Sequence, residues 1–339
     1  MRYMILAVAV LLAGCGGSAG SSVASLPAAS AAPAKFMSTA SIWIHGHPYS
    51  SNFGGATDFD SLFAGTSGWA TVAARTSAFG LYSGWVNSAT NTEISQLSTF
   101  LAAQHMTTEV EAPSLQATAS CGSGVEGFVP YGGQSLQTLT LAWINRLQNA
   151  GIPIGYVKVD EPYFFGSVST EANACQWPVA MVAAGVAQFS QLVHSVSPAT
   201  QVGDVEPVVA AYPTDPVTAL SQWQDAYKSA AGSGFPFYVA DADFNNPSWT
   251  TWLVNLESAI HARGEQFGVI YIGDFGDTSD QQWSGKVVAR FEAFQGAAGG
   301  TPDFVLFQSW LPHPTRSIPE TDQTTQTGVV RTYLTATGR

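Results

Sequence analysis

Eight runs with β-strand character alternate with helical runs along most of this chain, and this alternation constrains the fold more than any other feature. The strand-like runs cover residues 41–45, 77–82, 107–111, 154–161, 200–206, 235–243, 266–274 and 303–310. Strands that alternate with helices are parallel and are joined by right-handed crossovers. Closing eight such strands gives a (β/α)8 TIM barrel, so we expect a single-domain α/β barrel.

The length and composition fit that fold. With 339 residues, 46% of them hydrophobic, the chain can build a large core. The competing fold is an open doubly wound sheet. No Gly-rich phosphate loop follows the first strand, so nothing in the sequence favours a dinucleotide site.

The charge balance argues against a nucleic-acid partner. Only 11% of residues are charged and the formal net charge is -12, so little is present to neutralise phosphates. The 10 Trp, 11 Tyr and 19 Phe are set among polar residues, a composition that suits stacking of rings on neutral ligands.

The N-terminus has the pattern of an export signal. Arg2 precedes an apolar run that is too short to span a membrane, and the run ends in Leu-Ala-Gly-Cys at residues 12–15. These four residues match the bacterial lipoprotein box, which implies cleavage before Cys15 and lipid attachment to it. An ordinary signal peptide with an incidental cysteine is the alternative. We therefore predict a signal peptide (1–14), a flexible Gly/Ser/Ala/Pro tether (15–38) and a barrel domain (39–339) on an exported lipoprotein, periplasmic or at the cell surface.

The two remaining cysteines, Cys121 and Cys175, are predicted to form a disulfide. Export would place both in an oxidising compartment. They follow the third and fourth predicted strands, whose loops would be neighbours on one face of a barrel. The first of these loops, residues 114–134, is long and rich in Gly and Ser, which is typical of a functional loop.

Carboxylates stand at or near the ends of five of the predicted strands, where a barrel carries its active site. They are Glu109, Glu111, Asp160, Glu161, Asp204, Glu206, Asp241, Asp243 and Asp274. The one cation that the strand pattern places among them is Lys158. Carboxyl groups gathered at one mouth should push their pKa values apart, which provides an acid and a base at the same pH.

Three of these motifs resemble a family. Asp160-Glu161-Pro162 is similar to the Asn-Glu-Pro signature of the cellulase-like clan of retaining (β/α)8-barrel glycoside hydrolases, in which the Glu is the acid/base. Residues 270–276, IYIGDFG, resemble that clan's Gly-Glu-Phe-Gly nucleophile strand, with Asp274 at the nucleophile, and Trp310 matches its sugar-stacking Trp. The resemblance covers the order of elements over residues 41–312.

Two departures from the family pattern affect the chemistry. Asp160 replaces an Asn that would hold a sugar 2-hydroxyl, and Asp274 replaces a Glu, which shortens its reach by about 1.5 Å. The spacing of two catalytic carboxyls separates retaining from inverting hydrolysis, so the shorter side chain leaves the stereochemistry open.

The resemblance implies a glycoside hydrolase in which Glu161 protonates the glycosidic oxygen and Asp274 attacks the anomeric carbon or supports the attacking water. The expected substrate is a poly- or oligosaccharide, with no cofactor and no metal. The residues predicted to bind it are His47, Trp85, Glu111, Asp160, Glu206, Asp241, Asp243, Tyr271 and Trp310.

Two other functions are compatible with the sequence. A catalytically silent barrel that only binds carbohydrate would result if Asp274 is too short to react. The pair His45 and His47 is similar to the His-x-His metal pair of barrel amidohydrolases, and Lys158 matches their bridging lysine. Those enzymes need further histidines after strands five and six, where this chain has carboxylates, so the metal-ligand set is incomplete.

Overall fold

The computed structural model describes residues 36–48 and 54–339, which form a closed barrel of eight parallel strands. The predicted (β/α)8 fold is confirmed. The strands are β1 (Ser41–His45), β2 (Thr76–Tyr82), β3 (Thr107–Ala112), β4 (Ile154–Asp160), β5 (Gln201–Val208), β6 (Phe237–Ala242), β7 (Gln266–Tyr271) and β8 (Phe304–Gln308). Each pairs in parallel with the next, and β8 closes on β1 with Ser41 opposite Phe304.

Helices follow the strands and cover the outside of the barrel. They are α1 (Ala70–Ala73), α2 (Ser83–Ser88), α3 (Asn91–Gln104), α4 (Leu136–Asn149), α5 (Val179–Val196), α6 (Pro216–Ala231), α7 (Trp249–His261), α8 (Asp280–Phe291) and α9 (Gln326–Ala336). A two-residue ladder between Leu115–Gln116 and Phe128–Val129 lies in the loop after β3.

Local sequence fixes where several helices begin. Thr90 and Glu93 form a reciprocal capping box at the start of α3. The Asp215 side chain accepts a hydrogen bond from the Thr218 amide, and Pro216 occupies the first turn of α6, where a missing N–H costs nothing.

An aromatic cluster fills the end of the barrel opposite the strand tips. The Trp43 ring lies 4.1 Å from Phe304 and 4.4 Å from Tyr156 between centroids, and Phe237 meets it edge-on at 5.7 Å. At Gly268 a Cβ atom would come within 2.1 Å of the Phe304 ring, so only glycine leaves room for it. Because this end is packed with rings, polar side chains on the same strands concentrate at the other end.

Strand β5 differs from the expectation. The predicted run ends at residue 206, before Pro207, but the strand continues to Val208, with Pro207 opposite Asp241. The Val208 carbonyl accepts the Asp243 N–H, so the ladder uses a carbonyl beyond the proline and does not need the N–H that proline lacks.

The end of the predicted tether belongs to the fold. The Phe36 ring lies 6.3 Å from that of Phe291, and the Ser38 hydroxyl is 2.9 Å from the Tyr333 hydroxyl. Residues 36–38 therefore pack on the barrel, which corrects the boundary at 38. The signal peptide, Cys15 and the rest of the tether lie outside the described residues.

Helix α5 is long and apolar enough to cross a membrane by length and composition. Its inner face, which includes Val182, Val186 and Val193, is buried against the barrel. We interpret it as one of the barrel's covering helices.

Candidate functional site

Polar and charged side chains gather at the strand tips, and we call this group the cup. It contains side chains of β2, β3, β4, β6 and β8 and of the loop after β3. On one side of the cup, Lys158 donates to Glu111 at 2.6 Å and to the Gln308 side-chain oxygen at 2.7 Å. The Gln308 amide nitrogen in turn donates to Glu111 at 2.8 Å. Although burial alone would raise the pKa of Glu111, the Lys158 ammonium and these hydrogen bonds lower it. Lys158 and Glu111 are therefore a charged pair.

Beneath this network, His45 and Glu109 form a second buried pair. The His45 Nδ1 lies 2.9 Å from the Glu109 carboxylate, and both side chains are fully buried. Gly80 on the neighbouring strand makes room, since a Cβ there would come within 2.5 Å of the His45 ring. The second oxygen of Glu109 and Nε2 of His45 have no partner in the described part of the chain.

The backbone presents Glu161 in an unusual conformation. Its φ is +45°, a left-handed value that non-glycine residues seldom adopt. The Glu161 N–H donates to the Val205 carbonyl at 3.1 Å, and a π-helix, Phe164–Val168, follows directly. Strained residues and π-helical turns both concentrate at functional sites.

Glu206, which lies on the next strand, β5, stabilises this turn. Its carboxylate accepts the Tyr163 N–H at 2.5 Å and the Phe164 N–H at 2.9 Å, and its side chain is fully buried. The prediction that Glu206 binds substrate is therefore corrected, because both carboxylate oxygens hold the turn that carries Glu161.

Glu161 meets a second carboxyl across the cup. Its carboxyl lies close enough to that of Asp241, at the end of β6, for each to shift the pKa of the other. Burial raises the pKa of Glu161 well above its usual range, and the carboxyls of Glu126 and Asp241 raise it further. Burial also raises the pKa of Asp241 to about 7, while the interaction with Glu161 and the Lys158 charge oppose that rise. Both carboxyls therefore keep their protons to higher pH than an exposed carboxyl does.

Two more carboxyls face this pair. Burial, followed by the nearby carboxyls of Glu111 and Glu126, raises the pKa of Asp160 well above normal. Glu126 extends from the loop after β3, where crowding by protein atoms and by Glu111 raises its pKa. The Glu126 side chain also reaches solvent, which screens part of that effect.

Sequence reasoning missed Glu126, although it singled out the loop that carries it. Gly127 has φ of +75°, and a Cβ there would lie 2.5 Å from the Asp160 carbonyl oxygen, so glycine lets the loop pass directly over β4. A carboxylate next to a required glycine in a long loop is the signal that could have identified Glu126.

The predicted disulfide between Cys121 and Cys175 is confirmed, with 5.0 Å between the two Cα atoms. It joins the loop after β3 to the segment after β4. These two segments carry Glu126 and Glu161, so the cross-link ties together the backbones that present both carboxyls.

Asp274 lies in a different environment from Glu161 and Asp241. Lys286 donates to it at 2.8 Å and Arg290 forms a second ion pair with it, both from α8. Burial would raise the pKa of Asp274, but the hydrogen bonds from these two cations lower it. Its carboxylate is therefore already neutralised by its own chain.

Two residues face away from the cup. Asp204 accepts hydrogen bonds from Trp223 at 2.7 Å and Gln224 at 3.1 Å, beneath helix α6. The Tyr271 ring is fully buried, and its hydroxyl accepts from Gln295 at 2.7 Å. The prediction that Tyr271 stacks on a sugar is corrected, because no face of the ring is open.

The other predicted binding residues lie at the rim. Trp85 packs edge-on against Phe59 at 5.4 Å, and both Trp85 and Trp310 remain half-buried. Asp243 accepts from the Asn245 amide at 3.1 Å in a local turn. Burial lowers the pKa of His47 to about 4, and the electrostatic effect of His45 is the second cause. Their roles in binding stay predictions.

The possible metal-ligating side chains of the described residues do not come together at one point. Within residues 36–48 and 54–339, no three His, Cys, Asp or Glu side chains converge on a point that could hold an ion. His45, half of the predicted metal pair, instead binds Glu109.

Comparison with known proteins supports the fold. No protein-family model matches the chain, and no curated protein matches its sequence. Among solved structures, a psychrophilic glycoside hydrolase family 10 endo-β-1,4-xylanase has a TM-score of 0.50 at 10% identity, covering 86% of this chain and 96% of that one. A fungal β-1,4-galactanase has 0.47 at 11%, covering 81% and 90%, and a D-psicose 3-epimerase 0.47 at 7%, covering 88% and 100%. The xylanase, with its TM-score of 0.50, supports the barrel fold of this chain.

Proposed function

We propose that this protein hydrolyses glycosidic bonds of a poly- or oligosaccharide, with Glu161 as the acid and Asp241 as its partner. The observation that carries the proposal is the neighbouring pair of Glu161 and Asp241, whose buried surroundings raise both pKa values. One carboxyl that keeps its proton near neutral pH and one that releases it are what two-carboxylate hydrolysis needs.

The reaction assigns one role to each group. Glu161 gives its proton to the glycosidic oxygen as the bond from that oxygen to the anomeric carbon breaks. The Asp241 carboxylate attacks the anomeric carbon or takes a proton from the attacking water.

Asp241 replaces Asp274 as the partner in this proposal. Asp274 is ion-paired to Lys286 and Arg290, and a neutralised carboxylate is a weaker nucleophile. Asp274 would instead stabilise the loop after β7.

The deciding experiment compares the wild-type protein with Glu161→Gln on a panel of glycans, measuring the release of reducing ends. We expect the variant to lose activity by about 10²–10⁴-fold while it keeps its fold. Asp225→Asn, an acid on the outside of α6, is the matched control and should retain activity. Equal turnover by Glu161→Gln and the wild-type protein would remove Glu161 from the mechanism.

The second candidate is a barrel that binds carbohydrate without cleaving it. Oligosaccharide would then raise the melting temperature of the wild-type protein, and no reducing ends would appear.

We also propose that the protein is an exported lipoprotein held at a bacterial membrane through Cys15. The Leu-Ala-Gly-Cys sequence supports the anchor, and the Cys121–Cys175 disulfide supports an oxidising compartment. Cys15→Ser should move the protein from the membrane fraction to the soluble fraction.

A further inference from the structure

A polar layer crosses the barrel near the C-terminal ends of the strands. Lys158 lies on β4 and Gln308 on β8, which are opposite each other in the closed sheet. The Lys158 ammonium donates to the Gln308 side-chain oxygen at 2.7 Å, and both side chains are buried. Because a bond between opposite strands must pass through the barrel interior, these two side chains span the barrel at this level.

The Gln308 side-chain amide has a fixed orientation. Lysine donates hydrogen bonds and accepts none, so the amide oxygen must face Lys158 and the amide nitrogen must face the other way. The nitrogen donates to Glu111 at 2.8 Å and to the Tyr82 hydroxyl oxygen at 3.2 Å. Tyr82 is therefore the acceptor in its bond with Gln308.

The hydrogen of the Tyr82 hydroxyl is left over from these bonds. In the part of the chain that the structure describes, no group accepts it, and the hydroxyl takes part only in the bond that it receives from Gln308. Burial, and then the charge of Glu111, raises the pKa of Tyr82 well above its usual range, so the hydroxyl keeps its proton. The His45 ring packs against the Tyr82 ring with 4.2 Å between centroids. Tyr82 is thus a hydrogen-bond donor with a supported position and an unused proton.

Glu111 provides an acceptor beside this donor. Tyr82 and Glu111 are directly opposite each other on β2 and β3, so their side chains are neighbours on one face of the sheet. The bonds that Glu111 receives from Lys158 and Gln308 both end on Oε2, and no group of the described chain donates to Oε1. Lys158 and Gln308 are buried, whereas Tyr82 and Glu111 are partly exposed. The exposed part of the layer therefore carries one free donor and one free acceptor.

This arrangement restricts the ligand group that can bind to it. Tyr82 needs an acceptor and Glu111 needs a donor, and a hydroxyl group is both at once. An ammonium group could not accept from Tyr82, and a carboxylate or sulfate would be repelled by Glu111. The Glu111 charge is already balanced by Lys158 at 2.6 Å, so no further cation is required. The chemistry favours a neutral hydroxyl group, which uncharged sugars present on every ring.

We infer that Tyr82 and Glu111 together bind one hydroxyl group of a neutral glycan, with Tyr82 as the donor and Glu111 as the acceptor. This inference rests on the proposed function, since it names residues that determine the specificity of the same site. Uncharged sugars are preferred, because an acidic sugar would bring a second negative charge next to Glu111.

The test measures the binding of neutral hexasaccharides to Glu161→Gln, in which turnover is prevented, by calorimetry. The probes are β-1,4-linked xylohexaose, cellohexaose and galactohexaose and α-1,4-linked maltohexaose. Adding Tyr82→Phe removes the hydroxyl and keeps the ring. We expect the affinity for the tightest-binding hexaose to fall about three- to tenfold, the usual effect of losing one hydrogen bond.

Tyr227→Phe is the matched control in the same background. The Tyr227 hydroxyl donates to Ser190 at 2.9 Å, between α6 and α5 on the outside of the barrel, so its removal should leave the affinity unchanged. Unchanged affinity in Tyr82→Phe, an equal loss in Tyr227→Phe, or failure of all four hexaoses to bind would overturn the inference.

A change on the sugar separates direct contact from an effect on the fold. The tightest-binding hexaose is compared with chains that lack one hydroxyl position on every ring. For one of these chains, Tyr82→Phe should cause no further loss of affinity, because the hydroxyl that Tyr82 binds is already absent. An equal loss on the intact chain and on every deoxygenated chain would show that Tyr82 acts indirectly and would overturn the inference.

The outcomes separate the two proposals. Cleavage of a neutral hexaose by the wild-type protein, with unchanged affinity in Tyr82→Phe, would leave the hydrolase proposal standing and overturn this inference. Binding that depends on the Tyr82 hydroxyl, with no cleavage of any hexaose by the wild-type protein, would support this inference and overturn hydrolysis.

Discussion

The carboxyl groups of Glu161 and Asp241 lie close enough at the strand tips to shift each other's pKa, although Glu161 follows strand β4 and Asp241 lies on strand β6. Strand β5 lies between them and contributes Glu206, which holds the backbone of the Glu161 turn. The pair is thus positioned by the sheet and by a buried carboxylate, and its proton is the one that the proposed reaction uses.

Replacement of Asp241 and of Asp274 distinguishes the two possible partners of Glu161. We expect Asp241→Asn to lower kcat by about 10²-fold or more, because it removes the carboxylate that acts opposite the acid. Asp274→Asn should change kcat little and destabilise the protein, since Lys286 and Arg290 lose their common partner. Steady-state kinetics and urea unfolding measure both effects. A large loss of kcat in Asp274→Asn alone would restore Asp274 as the partner.

The pH profile of kcat/KM should be bell-shaped. Activity should rise as pH increases through about 7, where the Asp241 pKa lies, and fall at higher pH as Glu161 loses its proton. Asp160→Asn removes a neighbouring negative charge that raises the pKa of Glu161, so it should move the alkaline limb to lower pH. An alkaline limb that stays in place or moves upward would contradict the assignment of Glu161.

The stability of the fold should depend on the charge of Asp241. Burial raises its pKa from 3.8 to about 7, so the folded state holds a proton that the unfolded state releases. The stability from that proton is present below about pH 4 and is lost as pH rises through about 7. The melting temperature of Asp241→Asn minus that of the wild-type protein should therefore be larger at pH 8 than at pH 5. An equal difference at both values would contradict this.

Removal of the Lys158 charge should be costly because Glu111 would lose its ion pair. We expect Lys158→Met to destabilise the protein by about 3–5 kcal/mol, the usual cost of leaving a buried charge unpaired. The double variant Lys158→Met with Glu111→Gln is the matched control and should recover much of that loss. Chemical denaturation measures both. A double variant no more stable than Lys158→Met would show that the pair is not coupled.

The fold was predictable because strand and helix periodicities are local. The bounds of β1 and α5 follow directly from their apolar patterns. The sequence did not predict which carboxylates point toward the barrel axis. Alternation places Asp204 and Glu206 on the same face of the strand but does not say whether that face is the inner or the outer one. Only the closed sheet, with the Phe237 ring filling the space beside Gly203, turns both side chains outward.

The candidate site was predictable in part for a similar reason. Glu161 stood out because a proline follows an acidic strand end, and the structure adds its positive φ. The neutralisation of Asp274 depends on Lys286 and Arg290, which lie one helical turn apart on α8 but reach Asp274 only through the packing of that helix. Contacts of this kind depend on tertiary structure, which residue spacing alone does not specify.

The aromatic cluster around Trp43 has a consequence for how molecules move through the protein. Since rings fill one end of the barrel, the sugar, water and product of the proposed reaction must all pass by the strand tips. Departure of the product therefore has to precede arrival of the next substrate, and the loop that carries Glu126 borders that shared passage. A change in this loop would alter entry and exit together.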